Sequence, residues 1–546
     1  MRHEGRQEDG RINLGIKTGM VAANPRDIPK CPDVTGALCL AQCAMQKCLD
    51  FERVAVLIPP ITDNFKKQHF MKITTNRRSF LKMTGAASAA STFGFPNILH
   101  AQNKGDKLRV ALIATAGKGG AHIDMVKQAG DIVVAHCDVD KDRQGSVPQL
   151  WPQSRFYQDY RILLEKEMKN IDAIMVSTPD HHHYLPTALA MEAGKHCYTQ
   201  KPLVHTVWEA RQLLAGVNKF KVATQMGNQG HSNDGNRQIY EYVNSGMLGD
   251  VTEIHCVTNR PIWPQGMERP GGEDPVPANL DWDLWLGPAP MRPFKGGRTY
   301  HDFNWRGWCD FGGGALADMA CHTMDSIFWS LNPGLPSSVE VLEIYGHTKE
   351  AFPKGAIFRW TYAAGILPNG KPRPELVIYW YEGKLLKDGK EVLAAERVRR
   401  PEKLSADHKM SRSGNVYFGT KNDLLIEGDY GNNARIVQTA EEMKSSPIGK
   451  PPQLLARNPD GENDYGQYMD WQRACKGEKA WNTPGSNFTY AAPFTESILL
   501  GNIALRVGKM NEQLMYDGKN MRFTNSEEAN KFLTKEYRTG WEHKLV

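Results

Sequence analysis

The 546-residue chain is too long for one ordinary domain and long enough for two or three with substantial cores. Its 40% hydrophobic and 23% charged residues are the composition of a soluble globular protein, not of a fibrous, disordered or membrane-embedded one. The formal charge of +6 sits in residues 1–101, which carry 14 Lys and Arg against 8 Asp and Glu; the remainder carries 53 of each and offers no basic surface for nucleic acid or an anionic membrane.

Residues 1–70 show no clear periodicity and read as a non-native or disordered extension. Residues 71–101 resemble a twin-arginine export signal: Arg77-Arg78 is followed by Ser79-Phe80-Leu81-Lys82 and a weakly apolar Ala/Gly/Ser-rich run, with a cut expected near Ala101. The run is too short and polar to span a bilayer, so no integral membrane segment is expected. The signal implies passage through the twin-arginine machinery in folded form, to the periplasm or beyond. Of ten cysteines, Cys31, Cys39, Cys43 and Cys48 lie in this leader region. The other six are scattered, form no CxxC pair, and read as small buried hydrophobes rather than zinc ligands.

From residue 106 to 228 the pattern is that of a doubly wound α/β domain. An apolar, β-branched strand at 108–114 runs into the small-residue turn Thr115-Ala116-Gly117-Lys118-Gly119-Gly120 and a helical stretch. A second strand at 131–137 ends at Asp138, 21 residues after Gly117. Strand, small turn, helix, strand and acid in that order open a dinucleotide-binding fold. Backbone N–H groups at the helix start hold a pyrophosphate. The carboxylate of Asp138 accepts ribose hydroxyls and repels a 2′-phosphate, which favours NAD over NADP. A third strand at 171–177 leads into Thr178-Pro179-Asp180-His181-His182-His183, and a later one into Gln200-Lys201-Pro202. Consecutive side chains of an extended chain point apart, so the three histidines are read as cofactor-edge contacts and no metal site is expected.

Asp318 and His322 lie four residues apart and share one helix face, after Gly312-Gly313-Gly314, which is expected to allow close approach to a cofactor. With T-P-D-H-x-H at 178–183, the Lys201-Pro202 element and D-x-x-x-H at 318–322, the chain resembles the Gfo/Idh/MocA oxidoreductases over residues 106–540. Two departures stand out. The family turn G-x-G-G-x-G reads Ala114-Thr115-Ala116-Gly117-Lys118-Gly119, and alanine resists positive φ. Gln200 replaces the glutamate of the family's E-K-P. The resemblance implies oxidation of a hydroxyl of a sugar, glycoside or polyol, with hydride passing to nicotinamide. Lys201, Asp318 and His322 are then catalytic. Ala116, Gly117, Lys118, Gly119, Asp138, Thr178, Pro179, His183 and Lys201 are the cofactor contacts. The alternative is a glycosidase that uses tightly bound NAD in an oxidation, elimination and re-reduction cycle.

Residues 229–546 read as an α+β substrate domain. A loop at 259–300, dense in Pro, Gly and Trp, is long enough to be functional. Trp263, Trp282, Trp285, Trp305 and Trp308 are candidate sugar-stacking walls, most of them expected to be loop packing. His231, Arg260, Trp263, Arg306 and Trp308 are the substrate contacts expected. Strands at 251–257, 338–345, 356–362, 375–381 and 423–426, with helices at 464–475 and 490–507, imply an open, mainly antiparallel sheet with helices on one face. Segment 383–447 reads as loop or insertion. Such sheets in the family pair between subunits, which implies a homo-oligomer.

Overall fold

The computed structural model describes residues 107–546. The extension and the twin-arginine segment lie outside the described residues. Six strands, β1 (Arg109–Ile113), β2 (Ile132–Cys137), β3 (Arg155–Tyr157), β4 (Ala173–Val176), β5 (His196–Thr199) and β6 (Thr224–Met226), form a sheet in the order β3-β2-β1-β4-β5-β6. Every neighbouring pair is parallel. β4 is buried along its whole length and β1 beyond its first residue, which is why both read as continuous apolar runs. The chain reverses its winding between β1 and β4, and a ligand crevice opens beyond the carboxyl ends of strands at such a point. β3 is only three residues long, too short to show a period in the sequence.

The second sheet follows the order β16-β15-β14-β7-β12-β9-β8-β17-β18. Its strands are β7 (Val251–Val257), β8 (Ser338–Tyr345), β9 (Gly355–Tyr362), β12 (Leu376–Lys387), β14 (Gly414–Gly419), β15 (Leu424–Glu427), β16 (Arg435–Ile436), β17 (Gln513–Asp517) and β18 (Arg522–Phe523). Between β9 and β12 a small ladder joins β10 (Gly365–Ile366) to β11 (Pro372–Arg373), and β13 (Lys390–Leu393) pairs with β12. β7 and β12 run parallel and the other neighbours antiparallel.

Segment 383–447 is therefore not an insertion. β12 runs on past residue 381, turns at Asp388-Gly389, both with positive φ (50° and 76°), and returns as β13. β14 and β15 then complete the sheet. One face packs against the helices Gly314–Thr323, Asp325–Leu331 and Phe488–Val507. The other carries Val257, Ile357, Tyr381, Val416 and Phe418, covered by Ala394 and Val398 of the same segment.

Helix Asn463–Cys475 lies against the first sheet, with Tyr468 and Trp471 in one core with Leu108, Val110, Leu112 and Val133. Asp131 fixes it, accepting from Tyr468 Oη at 2.8 Å and Gln472 Nε2 at 2.5 Å. Among the described residues the six cysteines are free and buried, and no helix is long and apolar enough to cross a membrane.

Candidate active site

Beyond the ends of β1 and β4 lies a cavity of about 530 Å³, walled by both sheets' connecting loops. Its first wall is the turn after β1. Ala114 has φ +66° and Gly117 φ +57°, so the turn keeps the left-handed geometry although alanine occupies its first position. Gly119 is required: a Cβ there would lie 2.4 Å from the Ala114 carbonyl oxygen. Nothing lies within 4 Å of a Cβ built on Gly117, and no side chain caps the helix Lys118–Gln128 that follows. That uncapped N-terminus suits an anion. A left-handed alanine costs about 1–2 kcal/mol, part of which glycine's greater chain entropy offsets. Ala114→Gly is therefore expected to raise the thermal midpoint by roughly 1–2 °C; a lower midpoint contradicts the assignment of strain to this turn.

At the end of β2, Asp138 accepts from Thr115 N at 3.2 Å and from Asp140 N at 3.1 Å. Burial pushes its carboxyl up to about 6, against those two N–H groups and Arg143. Beside it, Arg143 is paired with Asp302 at 2.8 Å.

The chemical end is built by two elements. Lys201 follows β5, and helix Gly314–Thr323 presents Asp318 and His322 one turn apart. Lys201 Nζ donates to Asp318 Oδ1 at 2.9 Å and to the Asp318 carbonyl at 2.7 Å. Arg306 Nε adds a bond to the same Oδ1 at 3.2 Å. Burial alone would raise Asp318, but Lys201 and Arg306 outweigh it and hold the carboxylate at about 2. His322 is pushed well below the ordinary histidine range by burial, with Lys201 adding to the effect. Its ring is neutral at physiological pH, and its Nδ1 is buried without a partner. Asp180 accepts from Gly313 N at 3.0 Å, and burial raises it to about 7.

Ala116, Gly117, Lys118, Asp138, Thr178, Pro179, Lys201, Arg260, Trp263, Arg306, Asp318 and His322 all line this one cavity. Four expected contacts do not line it. Gly119 packs behind the turn. His183 is buried below the wall, with Nδ1 2.6 Å from the Pro202 carbonyl and Nε2 2.8 Å from that of Thr178, and it ties the two loops together. His231 has Nδ1 3.0 Å from both Asp325 oxygens and stacks on Trp329, with centroids 4.2 Å apart. Trp308 donates to the Thr299 carbonyl at 2.8 Å and is core. Of the five tryptophans, Trp263, Trp285 and Trp305 reach the cavity; Trp282 packs in the same aromatic cluster as Trp308.

Two further expectations are corrected. The space left by Gly312 and Gly314 serves protein packing rather than a cofactor: their Cβ atoms would lie 2.7 Å from Arg306 Cα and from Phe352 Cγ respectively. The triple histidine is not extended: Asp180–His182 is a 3₁₀ turn, His181 and His182 hold Nε2 at 3.2 and 2.9 Å from the Trp285 carbonyl, and His182 alone of the three lines the cavity. Among the described residues no group of three or more His, Cys, Asp or Glu could hold a metal ion.

Asp180, Tyr430, Arg143, Asp302 and His301 also line the cavity and were not singled out from the sequence. Asp180 sits inside the T-P-D-H motif and was findable there. Tyr430, edge-on to His322 with centroids 4.9 Å apart, comes from the segment read as an insertion and carried no signal.

Among the described residues four cavity-lining side chains hold a buried polar atom with no protein partner: Thr178 Oγ1, Gln200 Oε1, Gln229 Oε1 and His322 Nδ1. With the open turn and Asp138, they form a site that fits a dinucleotide running from the β2 end to His322. Residues 108–228 match the family model described as oxidoreductase family, NAD-binding Rossmann fold. Residues 234–376 match the one described as oxidoreductase family, C-terminal alpha/beta domain. The chain belongs to the Gfo/Idh/MocA oxidoreductase family.

Two curated relatives illustrate the Gfo/Idh/MocA likeness. An inositol 2-dehydrogenase/D-chiro-inositol 3-dehydrogenase of Halalkalibacterium halodurans is 26% identical over 158 residues, 28% of this chain and 45% of that protein. A glycosyl hydrolase family 109 protein of Shewanella putrefaciens is 26% identical over 204 residues, 32% of this chain and 44% of that protein. The chain thus spans under half the length of these relatives. The WlbA dehydrogenase of Chromobacterium violaceum, solved with NADH and UDP-GlcNAcA, shares the fold at a TM-score of 0.51 and 14% identity, over 76% of this chain and 98% of that one. In this Gfo/Idh/MocA chain the motifs at Thr178, Lys201 and Asp318 converge on one cavity, although 117 residues separate Lys201 from Asp318.

Proposed function

We propose that the protein is an NAD-dependent dehydrogenase acting on a hydroxyl of a sugar, glycoside or polyol. One observation carries this reading: a buried neutral imidazole with an unpartnered nitrogen shares a cavity with a dinucleotide turn and a carboxylate-held lysine. NAD, when bound, supplies the hydride acceptor. The turn 114–119 would hold its pyrophosphate, Asp138 its adenosine ribose, and Thr178 and Lys201 its nicotinamide end. Lys201, aimed by Asp318, donates a hydrogen bond to the reacting oxygen, and His322 takes the hydroxyl proton. Mass spectrometry of the small molecules released on denaturing the purified protein tests the reading. NAD at near-stoichiometric amount supports it, and the absence of any nicotinamide dinucleotide together with no binding of added NAD contradicts it.

Asp138 supports NAD over NADP. Charge-assisted hydrogen bonds are worth roughly 1.5–3 kcal/mol, so Asp138→Asn is expected to weaken NAD by about 10- to 100-fold in calorimetry. NADP should be affected far less. Equal losses for both dinucleotides would show that the carboxylate does not read the ribose.

The family 109 likeness supports a second reading, a glycosidase that oxidises its substrate transiently and re-reduces it on bound NAD. Release of an aryl aglycone with no net gain in reduced cofactor would favour it. Two further parts of the proposal concern context. Arg77-Arg78 and the run that follows support export of the folded protein to the periplasm. The broad second sheet supports pairing into a homo-oligomer.

A further inference from the structure

Five of the six described lysines and arginines that line the cavity have a protein carboxylate within ion-pair distance. Lys118 is paired with Asp464 at 2.7 Å, Arg143 with Asp302 at 2.8 Å, and Lys201 with Asp318 at 2.9 Å. Arg298 lies 3.5 Å from Asp302, and Arg306 3.2 Å from Asp318. Arg260 alone among the described lysines and arginines of the cavity has no carboxylate within ion-pair distance.

Arg260 is nonetheless placed rather than loose. Its Nη1 donates to the side-chain oxygen of the neighbouring Asn259, and its carbonyl accepts from Gly383 N at 2.9 Å. Asn259 is neutral, so it orients the guanidinium without cancelling its charge. Arg260 lines the same cavity as His322 and Tyr430. Arg260 also follows β7 of the second sheet, with Ile262 and Trp263 beside it in the wall. The cofactor's phosphates belong to the turn 114–119 of the other sheet.

We propose that the sugar is acidic, a hexuronate or hexuronide, and that Arg260 receives its carboxylate. A guanidinium fork with one nitrogen already used still offers donors for a planar carboxylate. Five of the six cavity cations share three carboxylates, Asp464, Asp302 and Asp318, so Arg260 is the one with no carboxylate of its own, and a planar monoanion matches the donors it keeps free. Trp263 and Tyr430 supply flat apolar surface beside that fork for the ring. This inference rests on the dehydrogenase reading for the fate of the sugar, not for its binding.

The test uses the NAD-loaded protein and three probes, glucuronate, galacturonate and mannuronate, each against its parent hexose. Dissociation constants are measured by calorimetry and oxidation by absorbance. At least one uronate is expected to bind tenfold or more tightly than its neutral parent. Arg260→Met is expected to lose about 10- to 100-fold for that uronate and about twofold or less for the parent, and Arg260→Lys to recover part of the loss. NAD affinity, measured on the same variants, is expected to stay within about twofold. The proposal is overturned if no uronate is preferred, if Arg260→Met weakens acid and parent alike, or if it loosens NAD instead. Selective uronate binding without a change in absorbance would leave the carboxylate site standing and remove the dehydrogenase reading.

Discussion

His322→Ala is expected to slow sugar oxidation by ~10²–10⁴ while NAD remains bound, since that is the usual worth of a positioned general base. The imidazole is buried on helix Gly314–Thr323, neutral, and has Nδ1 free of protein partners. A proton acceptor must be neutral and keep a nitrogen free of other partners before substrate arrives, and burial is what keeps this one neutral. The sign of the pH dependence follows. Burial and Lys201 push His322 below the ordinary value of about 6.5, so the base stays competent from neutral pH downwards until that lowered pKa is crossed. The acidic limb of kcat/KM attributable to His322 therefore lies below pH ~6.5 and is absent from the His322→Ala profile. NAD retention is the folding control, because the turn 114–119 and Asp138 belong to the first sheet and His322 to a helix packed on the second. Near-full oxidation by the variant would move the base elsewhere.

The second large effect is expected from Lys201→Met. The lysine spends two hydrogen bonds on Asp318, at 2.9 Å to the carboxylate and 2.7 Å to the carbonyl, and so holds its remaining N–H in a fixed direction. Methionine keeps the bulk and removes both the charge and the donor. A loss of ~10²–10³ in kcat is expected, with a rise in KM because the same bond also holds the ground-state oxygen. Asp318 keeps Arg306 at 3.2 Å, which limits the structural cost. The double variant with His322→Ala should be little worse than the slower single variant, since both groups serve one proton transfer. Losses that multiply in full would show two independent roles.

Much of this site was legible because its motifs are short and local. Asp318 and His322 share a helix face by their spacing and Thr178-Pro179 follows a buried strand, while the resemblance is what marks them as a site. Fold class was legible for the same reason: β1, β4, β8, β9 and β15 are long or apolar enough to show a period. What escaped depends on distant chain. Tyr430 and Arg143 reach the cavity from segments whose local sequence says nothing of a site, and the Arg143–Asp302 pair closes across 159 residues. β14 was hidden in a stretch whose lysines and arginines look like loop, although its core positions Val416 and Tyr417 are buried. His231 and Trp308 misled because a histidine and a tryptophan in glycine-rich sequence look like ligand contacts; Asp325 with Trp329, and Thr299 with Tyr300, claim them instead. At Ala114 the residue changed while the backbone held its left-handed turn.

The most direct test of the account is a single-turnover experiment on the NAD-loaded protein across neutral and acidic sugars and polyols. Absorbance near 340 nm, about the reduced-nicotinamide band, is followed beside mass analysis of the sugar. The account predicts growth of the band with at least one substrate, in step with loss of two hydrogens from that sugar, and no growth in His322→Ala. A substrate converted with no such loss and no net reduced cofactor would contradict it.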